Sequence, residues 1–488
     1  RLPFTLRVPE RAHFPDSVII RGTAMRNAVR ILSLSILVAL ATAAIAKNPK
    51  PAAASPAPAP SGTTQATVYK DNVAVHQAAQ PTSPTVTTLN KGSPLEVEKQ
   101  EGLWFNVKAQ PSTLGYVKIN EIRLAQASGG KDDGYSMFGG RPKPGETAGV
   151  RGISDTDLRN ATDDEAAVTR MQTFRVDDAR ATAYANNAHL QKTDVAYKKE
   201  PGLGEGHRAA SGSPDQTQAQ EQQTHAAKVG ALSMLGNHFG LGGSASTAAD
   251  ALPKSEQEKV DEEIAMGPQI AGRVLSVMPI WENPKAQQRV NTIGRWVAMQ
   301  TPRDDLPWTF AVVDSPEMNA FAAPGGYILV TRGLYEVLQS DDEVAAVLGH
   351  EISHVVARDH YYVIMKQAAT AAVTNIAIDK ATAHAGAAGQ FANYFAKQGA
   401  TVLLTVFDKD VEYRSDAASL IYIARAGYNP LAMYAVLQKL SAVSDTGRTS
   451  NLYKTHPTAS ARLDRLDQKG LASVAQFTDR PYVQAYGR

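Results

Sequence analysis

The chain has 488 residues, with 50 Lys and Arg against 48 Asp and Glu, a formal net charge of +2 and a pI near 8.5. That near-neutral balance supplies neither a basic surface for nucleic acid nor a field for an anionic membrane. The hydrophobic fraction of 43% is ample for a packed core and the length leaves room for two or three domains, while the absence of cysteine excludes disulfides, thiolate metal ligands, a cysteine nucleophile and a lipid-bearing cysteine within this sequence.

Residues 1–24 carry no pattern and read as sequence upstream of the native start. Met25 opens a segment with Arg26 and Arg30 ahead of an apolar run from Ile31 to Leu40, and Ala44-Ile45-Ala46 fits a small-residue cleavage site. Residues 25–46 are therefore expected to be a signal peptide cut after Ala46, which predicts a periplasmic protein. A signal anchor that is never cut is the alternative to cleavage, and peripheral association with the membrane is a separate expectation for the exported chain. The Pro/Ala-rich stretch 47–64 reads as an extended linker.

Residues 65–125 change to short β-rich runs at Ala66–Tyr69, Val86–Leu89, Leu95–Glu98, Trp104–Lys108 and Gly115–Lys118, with turn signals at Asn90-Lys91-Gly92 and Glu101-Gly102 between them. Such spacing predicts a small all-β barrel. Leu89-Asn90-Lys91-Gly92, Gly102-Leu103-Trp104-Phe105-Asn106-Val107 and Gly115-Tyr116-Val117 resemble bacterial SH3-like domains. Members of that group often bind peptide or cell-wall material, so outer-membrane or cell-wall components are candidate partners. The same aromatics, Trp104 and Tyr116, serve equally well as the core of a spacer.

Residues 126–255 read as linker with a helical segment near 153–198. Ser154 is placed to cap a helix that includes Leu158, and Glu165 to Leu190 carries Val168, Met171, Phe174, Ala181 and Ala185 near helical spacing. Residues 200–255 are Gly-, Ser-, Gln- and Ala-rich, with one short apolar run at 226–235.

From 256 to 488 the pattern is that of a globular domain. Ser255 opens an amphipathic run through Val260, Ile264, Ile270, Val274 and Val277. Pro284 to Met299 forms another, with Val290, Ile293 and Val297 on one side. Two strands follow, Trp308–Val313 and Gly326–Thr331, the second after the turn Pro324-Gly325-Gly326. Helix, helix, strand, strand and a further helix make an α+β arrangement, mostly helical with a small sheet.

That further helix carries His350-Glu351-Ile352-Ser353-His354. Positions i and i+4 lie on one helix face, so both imidazoles can reach one ion. Glu351, rotated away from the ligand face, is placed to act as general base toward a water that zinc would activate. Acidic residues Asp341, Asp342 and Glu343 suit the helix N-terminus, and the apolar residues after them bury the motif. Two surface histidines on an ordinary helix are the plainer alternative. A third protein ligand is required, and the best candidate is Glu412 in Asp410-Val411-Glu412-Tyr413-Arg414-Ser415-Asp416. Glu412 and Asp416 share a helix face; Asp416 can accept the free ring N–H of a histidine ligand and fix its tautomer.

Met318-Asn319-Ala320-Phe321-Ala322-Ala323-Pro324-Gly325-Gly326, Thr331-Arg332-Gly333-Leu334, the string around His350, Glu412–Asp416, Ala426-Gly427-Tyr428-Asn429-Pro430 and Thr455-His456-Pro457 with Arg462 resemble the HtpX-like and CAAX-prenyl-protease-like zinc metallopeptidases, a gluzincin family. The resemblance covers residues 256–466, with the motifs in the family's order. Lacking strong transmembrane runs, this half is closest in kind to the soluble, periplasmic BepA-like branch. The resemblance implies a zincin-type domain with one Zn2+ on His350, His354 and Glu412 and Glu351 as base. It also implies that the Asn319–Thr331 segment flanks the cleft, with Asn319, Ala320 and Phe321 on an exposed strand edge that binds substrate backbone. His456 and Arg462 are expected near the metal. His456 either steadies the oxyanion or plugs the ion, and His360 is expected to make a structural contact. Where the family often has a second acidic residue between Glu412 and Asp416, this chain has Arg414-Ser415. The Ala-rich stretch 366–405 is too polar for a membrane span and reads as a helical hairpin that covers the cleft or meets a partner.

The leading expectation is a secreted zinc metalloendopeptidase acting on protein or peptide substrates in envelope quality control. A chaperone-like binding protein with latent protease activity is the second, and a cell-wall hydrolase, resting only on the SH3-like resemblance, is the third.

Overall fold

The structure, a computed structural model, describes residues 64–109, 113–125, 155–198, 200, 255–375, 403, 406–443, 449 and 451–485. The expected signal peptide 25–46, most of the linker 47–64, the apolar run 226–235 and most of the expected hairpin 366–405 lie outside them.

Alternating apolar and polar residues build an N-terminal β-rich layer. Its strands are β1 (Thr64–Val68), β2 (Val73–His76), β3 (Thr85–Leu89), β4 (Pro94–Glu101), β5 (Trp104–Ala109), β6 (Thr113–Lys118) and β7 (Ile122–Leu124). Val68, Val75, Val97, Phe105 and Val107 point into the core, as a period of two requires. Seven strands stand where five were expected, because β2 and β7, of four and three residues, are too short to show alternation. Their order is β3-β2-β6-β5-β4-β1-β7. This is an open series: among the described residues no pairing joins β3 to β7, so the expected closed SH3-like barrel is replaced by a β-rich sheet domain.

Three helices follow, α1 (Asp155–Asn160), α2 (Glu165–Gln172) and α3 (Asp178–Asn187). The single helical run expected over Glu165–Leu190 is split, since the Asp177 side chain accepts the Arg180 N–H and starts a new helix. These helices are packed, not suspended. Leu158, Val168 and Met171 are buried in one core with Ile270 and Val274, and Tyr184 lies in the other with Val290 and Tyr428.

Helix α4 (Glu256–Val277) begins in a capping box in which Ser255 and Glu258 satisfy each other's backbone N–H groups, and α5 (Pro284–Ala298) is capped by Asn283. A three-stranded sheet of β8 (Thr309–Val313), β9 (Ala320–Ala323) and β10 (Tyr327–Thr331) comes next, in the order β8-β10-β9. Strand β10 runs parallel to β8 and antiparallel to β9. The turn from β9 to β10 holds Gly325 at φ 73°, a left-handed conformation that side-chain-bearing residues rarely adopt. Then come α6 (Arg332–Val337), α7 (Asp341–Val356), α8 (Asp359–Asn375), α9 (Lys409–Arg425), α10 (Ala432–Ala442), α11 (Leu452–Thr455) and α12 (Ala459–Arg465), the last running on into a π-helical turn, Leu466–Gly470. The opening of the expected hairpin thus continues α8 as helix.

Every residue of α7 is buried, which makes it the axis of the domain. Ser340 caps it by accepting the Glu343 N–H, and its first turn carries Asp341, Asp342 and Glu343 at the positive end of the helix dipole. Gly349 lies where α7 crosses α9: a Cβ there would stand 2.8 Å from Ser419 Oγ. The two helices can therefore approach closely just beside His350. Among the described residues no helix is long and apolar enough to cross a membrane.

Candidate metal centre

The helical geometry of α7 sets His350 and His354 one turn apart on one face, and their Nε2 atoms are 3.3 Å from each other. Helix α9, pressed against α7 at Gly349, brings Glu412 to the same point. Its carboxylate oxygens lie 3.5 Å from His350 Nε2 and 3.5 Å from His354 Nε2. A fourth group arrives from the residue after α11: His456 Nε2 is 3.5 Å from Glu412 Oε2. The ligand atoms of His350, His354, Glu412 and His456 all lie within 4.8 Å of one another.

These spacings match a metal polyhedron. Nitrogen and oxygen ligands arranged tetrahedrally around zinc stand about 3.3–3.4 Å apart. The decisive observation is at Glu412. Both of its carboxylate oxygens are buried and neither has a hydrogen-bond partner. Leaving buried acceptors unmade is costly, and a cation among them removes that cost. The donor set of imidazole and carboxylate is one zinc favours.

Electrostatics point the same way. Burial opposes ionisation of Glu412, but His456, His350 and His354 around it hold its carboxyl well below the usual carboxylate range. Burial and the Arg462 guanidinium push His350 down, but the Asp416 and Glu412 carboxylates beside it outweigh them and raise it to about 9. The cluster thus attracts one positive charge, which a divalent ion supplies in exchange for a proton. Burial pushes His456 down to about 3, so its imidazole is neutral at pH 7 with a lone pair to offer.

The far side of each histidine is fixed. Asp416 Oδ1 accepts from His350 Nδ1 at 3.0 Å, and Arg462 donates to both oxygens of Asp416, Nη2 at 2.6 Å and Nε at 2.9 Å. The Asp416 carboxyl is held down to about 2: burial opposes this, and Arg462 and His350 prevail. His354 Nδ1 is held by Asp359 Oδ2 at 2.8 Å, a partner that the sequence analysis did not single out. Arg414 pairs with that same Asp359. Its position in Glu412–Asp416, a departure from the family's acidic pattern, therefore supports the second histidine through Asp359. The spacing His354-x4-Asp359, across the end of α7, was the available signal. Phe407 stacks on the His354 ring at 5.1 Å between centroids, and no periodicity marks it. His360 packs edge-on against Phe407 at 4.7 Å and is not among the clustered ligand atoms, in keeping with a structural contact.

Glu351 is buried and opens onto a cavity of about 10 Å³ whose walls include Ala320, Phe321, His354, Phe407 and His456. That is about the space of one water molecule. Burial raises the Glu351 carboxyl above its usual range, although His350 and His354 oppose the shift. Strand β9 stands at the edge of its three-stranded sheet and forms a wall of this cavity, and its residues are buried. Asn319 is not in the wall: its backbone N–H donates to Thr331 Oγ1 at 2.9 Å and its side-chain oxygen accepts the Ala320 N–H at 3.0 Å, bracing the start of β9.

Comparison with known proteins bears on this arrangement. Residues 284–469 match peptidase family M48. The chain is 28% identical over 230 residues to the beta-barrel assembly-enhancing protease of Yersinia pestis, covering 42% of this chain and 47% of that protein. It is 30% identical over 165 residues to the mitochondrial metalloendopeptidase OMA1 of Schizosaccharomyces pombe, covering 34% and 47%. It is 27% identical over 193 residues to the metalloprotease LoiP of Escherichia coli K12, covering 39% and 74%. The chain spans about half the length of the first two of these relatives. All four clustered ligands fall inside the matched segment, and M48 peptidases are zinc-dependent enzymes. The segment that holds the whole cluster, residues 284–469, is thus similar to the peptidases of family M48.

Proposed function

We propose that this chain is a zinc-dependent metalloendopeptidase, with one zinc ion per chain, that hydrolyses peptide bonds of misassembled envelope proteins. The observation that carries the reading is the buried Glu412 carboxylate, without a hydrogen-bond partner and ringed by three imidazole nitrogens. The envelope assignment draws on the assembly role in the name of the Yersinia relative and on the export signal read at 25–46. Export to the periplasm is part of the proposal.

In this reading His350, His354 and Glu412 hold the ion, and Asp416 with Arg462 and Asp359 with Arg414 keep the two imidazoles aimed. Bound zinc supplies Lewis acidity toward a carbonyl and a water. Glu351, in the cavity wall, accepts the proton of the water that adds to the scissile carbonyl carbon and returns it to the departing amide nitrogen. Its elevated carboxyl pKa suits that exchange. Strand β9, through Ala320 and Phe321, faces an extended substrate backbone, and Asn319 holds the strand in place. The test pairs metal analysis with one substitution. Wild type should carry one zinc per chain; Glu351→Gln should keep the zinc and lose hydrolysis of an unfolded protein such as casein. Undiminished cleavage by that variant would refute the mechanism.

A latent form of the same enzyme is the second reading. His456 stands as a fourth ligand in the cluster, and the cavity has no room for a peptide. On this reading the site opens when His456 leaves, and the folded chain binds clients before it cuts them.

A further inference from the structure

We propose that Arg123 of the β-rich domain is a positioning residue for the metal centre, acting through the helix that carries Arg462. The inference rests on the proposed zinc reading and concerns how its site is held.

The β-rich domain is docked on the peptidase domain by polar contacts of high specificity. Gln438 of α10 uses its whole amide: its oxygen accepts the Leu124 N–H at 3.1 Å, and its nitrogen donates to the carbonyls of Ile119 at 3.2 Å and Ile122 at 2.5 Å. A tether that merely carried a binding module would not need a buried side chain matched to three backbone groups.

Two further contacts meet on one helix. Arg123 pairs with Asp467, which also accepts from Tyr434 Oη at 3.2 Å. The Arg123 guanidinium lies 3.9 Å over the ring of Tyr69, and the Tyr69 hydroxyl donates to Asp464 at 3.0 Å. Asp464 and Asp467 belong to α12 and its π-helical continuation. Two residues before Asp464, on the same rigid helix, is Arg462, which grips both oxygens of Asp416 and so fixes His350. The Arg123–Asp467 pair is largely buried, with side chains 16% and 11% exposed. Such a pair specifies position more than it adds stability.

A second contact reaches a helix that carries ligands. Gln100 donates to Glu343 at 3.0 Å, and Glu343 forms a fully buried pair with Lys439 in the first turn of α7. The β-rich domain therefore touches the start of the helix bearing His350 and His354 and the end of the helix bearing Arg462. Rotation or translation of α12 along its axis would pull Arg462 off Asp416, and Arg123 with Tyr69 opposes that movement. The β-rich domain thereby becomes part of the scaffold of the site.

The experiment measures the zinc dissociation constant of the purified full chain by competition with a chelator, alongside kcat and KM on an unfolded protein. Arg123→Gln and Asp467→Asn should each weaken zinc by about tenfold, the low end of what changes behind a metal ligand cost. Each should lower kcat with KM unchanged, and the double variant should be no worse than either single one. Tyr69→Phe, which removes one hydroxyl, should shift zinc affinity in the same direction by less. It remains informative should the charge variants fold poorly. Lys118→Ala is the control: Lys118 is on the same β-rich domain but pairs with the exposed Asp479, away from α12, and its loss should leave zinc affinity unchanged. Unaltered zinc affinity in Arg123→Gln, Asp467→Asn and Tyr69→Phe, with only thermal stability reduced, would overturn the proposal. A wild-type chain that binds no zinc would instead overturn the metallopeptidase reading on which it rests.

Discussion

Asp416 is shared between His350 and Arg462: one oxygen accepts from the imidazole at 3.0 Å while the guanidinium holds both oxygens at 2.6 and 2.9 Å. The carboxylate is thereby fixed in charge and in direction. It keeps the proton of His350 on Nδ1 and leaves Nε2 facing Glu412. Replacing Asp416 by Asn keeps the shape and removes the charge. Zinc affinity, measured by chelator competition, should fall about 10- to 100-fold, with hydrolysis falling alongside at limiting zinc. Arg462→Lys, which cannot hold both oxygens in one plane, should fall between wild type and Asp416→Asn. Wild-type affinity in Asp416→Asn would show that His350 is oriented by packing alone.

Gly349 makes the convergence of α7 and α9 possible. A Cβ at this position would meet Ser419 Oγ at 2.8 Å and Ile423 Cγ2 at 3.2 Å, so Gly349→Ala must push the helices apart beside the ligands. The cost to folding should be about 1–3 kcal/mol, as for other overpacked cores. Because Glu412 rides on the displaced helix, zinc affinity should fall too, although residue 349 touches no ligand atom of the cluster. Denaturant unfolding and chelator competition report the two effects separately. Adding Ser419→Ala to Gly349→Ala removes the nearest clash and should recover part of both.

Local signals carried most of the site into the sequence. His350, Glu351 and His354 were legible because a helix fixes the relation of i and i+4, and Ser255 and Asp341–Glu343 marked helix starts through capping and dipole chemistry. Glu412 and Asp416 were legible only as a pair, by the same spacing. The partners of His354 were not. Asp359 lies past the end of α7, where Arg358 turns the chain at φ 59°, so no helical period connects it to its histidine. Phe407 reaches the ring from a stretch with no regular structure. The short strands β2 and β7 gave too few residues to alternate, and this left the β-rich domain read as a five-stranded barrel. Its docking was hidden for a further reason. Gln438, Arg123 and Asp467 are polar residues far apart in sequence, and only folding gives such residues a common meaning.

The network behind Arg358 gives the fold an acid limit. Arg358 pairs with Glu263 and Glu256 of α4, tying that helix to the end of α7. Burial pushes the Glu256 carboxyl up, but Lys259 and Arg358 outweigh it and hold it below its usual value. A carboxyl lowered on folding binds its proton more weakly in the native state. Its stabilisation is present above the unfolded value of about 4.3 and is lost as pH falls through the folded one. Denaturant titrations from about pH 6 down to pH 3 should therefore show falling stability in wild type. Glu256→Gln should be less stable at neutral pH by up to about 1 kcal/mol, since the pair is partly exposed, and should flatten the acid limb. Parallel slopes in the two proteins would assign the acid loss to other carboxylates.

His456 discriminates between an enzyme at rest in an open state and one held shut. Its Nε2 lies 3.5 Å from Glu412 Oε2, and Thr455 Oγ1 is 2.8 Å from its Nδ1, so the ring is held from both sides. As a fourth ligand it would occupy the corner that a catalytic zinc keeps for water and substrate. His456→Ala then keeps three protein ligands and should still bind zinc, with affinity reduced by the loss of one donor. Its rate on casein should rise severalfold over wild type, and 1,10-phenanthroline should abolish that rate. If His456 instead steadies the developing oxyanion, the same substitution lowers kcat by about 10²–10³ with zinc retained, the usual cost of losing one such donor. Rate and metal content measured on one preparation separate the two roles, because only their signs on turnover differ.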